Sequence, residues 1–133
     1  MGAAGDRGGL KSERFEMVAM ATGVRRRETW MLDLGEQMGH AQGWLRPALI
    51  VSSDEWNGHA NVVTVLPITG TKHDLPTRVE IEPDPRTGLT NTLYARCEDI
   101  RSVAARRLVR RMGTIDIVTM SALGRVLRTF LEV

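Results

Sequence analysis

The sequence predicts an α+β domain: a small, partly open antiparallel β-barrel with one C-terminal helix. Three observations carry this reading. Short runs with strand alternation or continuous apolar character recur between Glu28 and Ile115, separated by Gly, Pro, Asn and Asp turn signals. Two of these runs, 45–52 and 62–69, are apolar enough to read as buried strands. Beyond Asp116, a helix N-cap, the residues Met120, Leu123, Val126, Leu127, Phe130 and Leu131 fall at helical spacing.

A chain of 133 residues is one domain's length, and pairing as a homodimer would support so small a sheet. Its 42% apolar and 26% charged residues are ordinary for a globular protein, and a net charge of +2 argues nothing alone. The distribution is more telling, because every basic residue except Lys11 and Lys72 is arginine. Arg101, Arg106, Arg107, Arg110 and Arg111 fall together with no carboxylate among them. That stretch is either a surface tracking a phosphate backbone or a solvated face. The lone cysteine, Cys97, permits no internal disulfide, and its neighbours suggest a buried, inert thiol. No apolar run reaches the roughly 18 residues of a membrane span, and 17–21 is too short for a signal-peptide core, which makes the cytoplasm the default compartment.

In chain order, residues 1–24 read as a flexible Gly- and Ala-rich tail, with Met17 or Met20 as alternative starts, and residues 25–133 as the folded domain. Arg25, Arg26 and Arg27 lead into a first strand on which Trp30, Leu32 and Leu34 share a face. A Gly-rich loop follows, carrying His40, Gln42 and Trp44. The strand from Arg46 to Ser53 starts beside Pro47; Asp54 to Gly58 is a turn or one helical turn with Asp54 as its cap; His59 to Thr69 is the long central strand. A polar loop with Thr71, Lys72 and His73 comes next. Further strands are expected over 77–82, 92–97, 99–103 and 111–115, with 104–109 either a helical turn or a loop.

Antiparallel pairing of the two buried strands brings the start of one to the end of the other, and so sets Arg46 beside Thr69 on one rim. An arginine near a core needs a counterion. Either it pairs with a carboxylate such as Glu98 or Asp99, or it awaits an anion, for which phosphate is the natural choice. Other chemistries lack their residues: the three histidines show no ligand spacing, so no metal is expected. There is no phosphate-loop or dinucleotide glycine pattern either, and no nucleophile elbow around Ser52 or Ser53.

Four segments in order resemble the MazF/PemK family of toxin endoribonucleases: Arg26 through Leu34, Gly39-His40-Ala41-Gln42 with Arg46-Pro47-Ala48 and its aliphatic run, Pro67-Ile68-Thr69, and Cys97 through Ser102. The resemblance implies an SH3-like barrel working as a homodimer, with no cofactor or metal. It implies cleavage of single-stranded RNA at short sequences by attack of the neighbouring 2′-hydroxyl, leaving a 2′,3′-cyclic phosphate and a 5′-hydroxyl. The family's catalytic Arg–Thr pair maps onto Arg46 and Thr69, Arg46 handling protons and negative charge and Thr69 hydrogen-bonding the phosphoryl oxygen. Because a guanidinium stays protonated to a pH of about 12, charge stabilisation is the stronger role for Arg46. RNA contacts then fall to His40, Gln42, Trp44, Thr71, Lys72 and Arg101, with Trp44 either stacking on a base or packing under its loop. A small antitoxin with an acidic segment is the implied partner, occupying the same groove. A non-enzymatic toxin or binding module of this fold, such as a gyrase poison, is the alternative. The chain departs from the family pattern at Ala41, in place of a loop acid, at Asp99, in place of Gln, and at Arg27, in place of Gly.

Overall fold

The computed structural model describes residues 23–35 and 44–133. Of the expected tail only Gly23 and Val24 fall within it, and His40, Ala41 and Gln42 lie outside the described residues. Seven strands form one sheet: β1 (Glu28–Asp33), β2 (Leu45–Ile50), β3 (Val62–Thr69), β4 (Arg78–Ile81), β5 (Leu93–Arg96), β6 (Arg101–Ala104) and β7 (Leu108–Thr114). They pair antiparallel in the order β4-β5-β3-β2-β1-β7, with β6 also on β3. A short helix α1 (Asp54–Asn57) separates β2 from β3, and α2 (Ile117–Leu131) closes the chain. The α+β class read from the sequence is therefore the observed one.

The inner parts of β2 and β3 carry apolar residues on both faces because both faces are covered there. Leu49 and Val51 of the β2 segment join Leu66 and Ile68 in one core, with Ile81, Cys97 and Ile115 and with Met120 and Leu123 of α2. The alternate residues, Ala48, Ile50, Val63 and Val65, enter a second core with Val24, Leu32, Ala105 and Leu108. Trp30 and Leu34 pack against this second core, as their alternation with Leu32 predicts. On α2, Val126 and Leu127 continue the first core, whereas Phe130 and Leu131 are exposed.

The long strand β3 changes partners partway along one edge. Val62–Val65 pair with β6, and Ile68 and Thr69 pair with β5. Pro67, with no N–H to donate, sits where the first partner has ended and the second has not begun. A 3₁₀ turn, Cys97–Asp99, crosses that gap from β5 to β6. This single irregularity sets Arg96, Asp99 and Arg101 near the end of β3.

The end strands β4 and β7 are not paired with each other, so the barrel is open. Its seam is bridged by the turn after β4: the Thr114 amide donates to the Arg86 carbonyl at 2.6 Å, and the buried Thr29 hydroxyl donates to the Thr87 carbonyl at 2.8 Å. Two glycines permit the approach. A Cβ on Gly113 would meet the Arg86 carbonyl oxygen at 2.2 Å, and one on Gly88 the Met112 carbonyl oxygen at the same distance.

Several local expectations change. Ser53, not Asp54, caps α1, accepting from the Trp56 amide, while Asp54 accepts from the Arg26 amide. The central strand starts at Val62, because the His59 amide still closes the helical turn onto the Trp56 carbonyl. The last strand begins at Leu108 rather than Arg111, drawn in by pairing with Leu32 across a bulge. The ambiguous 104–109 segment holds a 3₁₀ turn, Ala105–Arg107. Asp116 caps α2 as expected, its carboxylate accepting from the Thr119 amide at 2.6 Å.

Candidate functional site

The β2–β3 register sets Ala48 opposite Pro67 and Leu49 opposite Leu66; carried outward, it sets Arg46 across from Thr69. Both residues line an open cleft of about 250 Å³ together with Leu32, Leu34 and Pro67. Arg96, Asp99 and Arg101 line it too, so three guanidiniums share the cleft with one carboxylate.

Arg46 does not pair with Glu98 or Asp99. Among the described residues its guanidinium makes no ion pair, and it rests over the Trp44 ring, 4.9 Å from the centroid. The two acids serve other arginines. Glu98 accepts from Arg78 Nε at 2.8 Å and from Thr77 Oγ1 at 2.9 Å, and Asp99 holds Arg101 at 2.8 Å. These hydrogen bonds hold the Glu98 carboxyl below its usual range; burial, the largest single influence, pushes the other way and is outweighed by its own backbone amide, Arg78 and Thr77 together.

The Thr69 hydroxyl oxygen accepts from the Thr71 amide at 3.4 Å, leaving its proton available to donate. The same loop is pinned from beneath, because Arg78 Nη1 donates to the Thr71 carbonyl at 2.6 Å. Thr71 and Lys72 are exposed beside Thr69 but are not among the residues lining the cleft. Trp44 does line it. Its backbone closes the base of the first loop, accepting from the Leu34 amide at 2.8 Å, and one ring face is covered by Arg46.

The arginine-rich stretch does not act as one surface. Arg101 faces the cleft, Arg107 Nη1 reaches the Asp33 carbonyl at 3.3 Å, and Arg111 Nε binds buried Glu28 at 2.7 Å; only Arg106 and Arg110 are exposed without such a bond among the described residues. Arg26 and Arg27 also fasten the fold, donating to the carbonyls of Val51 and Ile115. Cys97 is fully buried, and desolvation, aided by the charge of Glu98, pushes its thiol up to about 11. Among the described residues no three His, Cys, Asp or Glu side chains gather as a metal site.

Sequence reasoning overlooked Arg96. Its strand does alternate, and Thr69 pairs with Tyr94, so Arg96 shares the Tyr94 and Thr69 face. That periodicity was the signal that could have found it.

The open α+β sheet thus carries an arginine-lined cleft at a strand end. Comparison with known proteins shows the family. Residues 25–131 match the family of PemK-like, MazF-like toxins of type II toxin–antitoxin systems. The chain is 32% identical to the endoribonuclease MazF9 of Mycobacterium tuberculosis over 114 residues, 82% of this chain and 97% of the relative. It is 33% identical to a probable endoribonuclease MazF of Mycolicibacterium smegmatis, over 71% of this chain and 87% of that one. Among solved structures, a mycobacterial endoribonuclease in complex with its cognate antitoxin superposes with a TM-score of 0.69 at 26% identity, covering 83% of this chain and 96% of that one. The chain belongs to the PemK/MazF toxin family.

Proposed function

We propose that this toxin, an endoribonuclease by its family, cuts single-stranded RNA without a metal ion and uses Arg46 and Thr69 to do so. In the reaction, the 2′-oxygen forms a bond to phosphorus as the bond to the 5′-oxygen breaks. The 2′-hydroxyl loses its proton and the departing 5′-oxygen gains one, giving a 2′,3′-cyclic phosphate and a 5′-hydroxyl. Negative charge builds on the non-bridging oxygens along the way. Arg46 opposes that charge as a permanent cation, and Thr69 donates its hydroxyl proton to one of those oxygens.

The observation that carries the reading is the pairing of the two residues across the β2–β3 register, with Arg46 lacking a carboxylate partner among the described residues. Trp44 and Arg101, which line the cleft with them, and Thr71 and Lys72, exposed in the loop after Thr69, serve as RNA contacts; His40 and Gln42 belong to the same proposal from the loop outside the described residues. We assign the domain to residues 25–133, with 1–24 as a tail, and take it to act as a cytoplasmic homodimer. No helix among the described residues is long and apolar enough to cross a membrane. A cognate antitoxin with an acidic segment would occupy the cleft in place of RNA, since the same guanidiniums attract a carboxylate or a phosphate.

The test is to incubate the purified protein and a long single-stranded RNA with excess chelator and map the new 5′ ends. Discrete cuts bearing 5′-hydroxyls support the proposal. Cuts that vanish with chelator, or that carry 5′-phosphates, overturn the chemistry; no cutting of several unrelated RNAs points to a binding toxin of the same fold.

A further inference from the structure

We propose that Arg96 is a second phosphate-binding guanidinium of the cleft and that Asp99 is a built-in rival anion which RNA phosphate must displace. The inference rests on the reading of this cleft as an RNA site, and it assigns two residues that the Arg46–Thr69 chemistry leaves unused.

The two guanidiniums beside Asp99 are satisfied very unequally. Arg101 is gripped closely: Nη2 donates to both carboxylate oxygens, at 2.9 and 2.8 Å, and Nε lies 3.3 Å from one of them. That is the fork geometry by which arginine grips phosphate, with a carboxylate in the phosphate's place. Arg96 is under-satisfied. Nη1 stands 3.5 Å from Asp99 and Nε 3.5 Å from Glu98, and Nε, buried, has no hydrogen-bond partner among the described residues. Its side chain is still 38% exposed, so it faces the cleft with donors in hand.

Asp99 bridges the two arginines across the turn between β5 and β6. Its side-chain contacts run to Arg96 and Arg101, whereas the adjacent Glu98 fastens the turn through Arg78 and Thr77. An incoming phosphodiester meets Arg101 already gripped by Asp99 and Arg96 held only by long contacts of 3.5 Å. The carboxylate thus lowers affinity for a polyanion and damps its salt dependence, since one fewer net cation releases counterions.

The probe is a labelled pool of short random-sequence 2′-O-methyl oligoribonucleotides, which bind but offer no 2′-hydroxyl to attack. Affinity is measured across a salt series for the full chain and for Asp99→Asn and Arg96→Gln, with thermal melts to verify folding. Asp99→Asn should bind roughly tenfold tighter at low salt, with the slope of log affinity against log salt steeper by about 0.7. Arg96→Gln should bind more weakly, with the slope shallower by about the same amount. Unchanged affinity and slope in folded Asp99→Asn would overturn the rival-anion role, and an unchanged slope in Arg96→Gln would overturn the phosphate-binding role. RNA cleavage is scored separately. Cutting by the unmodified chain with no binding change in the variants removes this inference alone; the expected binding changes without any cutting remove the ribonuclease reading and leave this one standing.

Discussion

Arg78 and Glu98 form an ion pair at 2.8 Å in which the arginine is almost entirely buried, 7% exposed, and the glutamate three-quarters covered. The pair joins two parts of the site. Through Nη1, Arg78 holds the loop that follows Thr69, and through Glu98 it anchors the turn that carries Asp99. Arg78→Ala leaves Glu98 poorly compensated, and removing one partner of a buried pair costs about 3 kcal/mol. Chemical denaturation should show a loss of that order.

The same pair predicts an acid limb. The folded protein holds Glu98 below the usual 4.5, so the stability it contributes is complete above that value and lost as pH falls through the lower one. Melting temperature measured downward from pH 6 should drop more steeply below about pH 4 in the unmodified chain than in Glu98→Gln.

Arg27 lies at φ 79°, a left-handed conformation that costs a side-chain-bearing residue about 1–2 kcal/mol. It is held there by its amide on the Ile50 carbonyl, its carbonyl on the Ile115 amide, and its Nε on the Ile115 carbonyl at 3.0 Å. Arg27→Ala keeps the strain and loses the side-chain bond; Arg27→Gly loses both. The glycine variant should therefore be the more stable of the two by about 1 kcal/mol. Equal melts would mean the backbone relaxes at this position.

At the barrel seam, Gly113→Ala forces a methyl group to within 2.2 Å of the Arg86 carbonyl oxygen, with Thr87 backbone atoms close behind. Backbone meets backbone there, and no flexible side chain can yield. A loss of at least about 3 kcal/mol, or failure to fold, is expected in denaturant titration.

Cys97 combines full burial with a thiol pushed up to about 11. At pH 8 it should resist a thiol reagent in the native protein and react promptly in denaturant. Rapid native labelling would show that the core around β5 opens readily.

Much of this architecture is legible in the residues. The alternation of Trp30, Leu32 and Leu34 gives the first strand its core face, and the largely apolar runs around Leu49 and Val65 mark the doubly covered centre. Antiparallel logic alone brings Arg46 to Thr69. What the sequence conceals is partner choice. Nothing in Glu98-Asp99 announces that one carboxylate serves Arg78 and the other Arg101, because that depends on the crossing between β5 and β6. The basic cluster from Arg101 to Arg111 misleads for the same reason: a bulge and a 3₁₀ turn send its members to different faces. Arg27 shows the converse, a residue whose type argues against the left-handed backbone it adopts.

The most direct test of the Arg46–Thr69 assignment is single-turnover cleavage, at a mapped RNA site, by the unmodified chain, Thr69→Ala and Thr69→Ser. Thr69 is partly exposed at a rim, so all three should melt within about 0.5 kcal/mol of each other. Loss of one donor to the developing charge should slow Thr69→Ala by roughly 10²–10³-fold, while Thr69→Ser, which keeps the hydroxyl, retains most of the rate. An alanine variant that cuts as fast as the unmodified chain would contradict the assignment and move the chemistry elsewhere in the cleft.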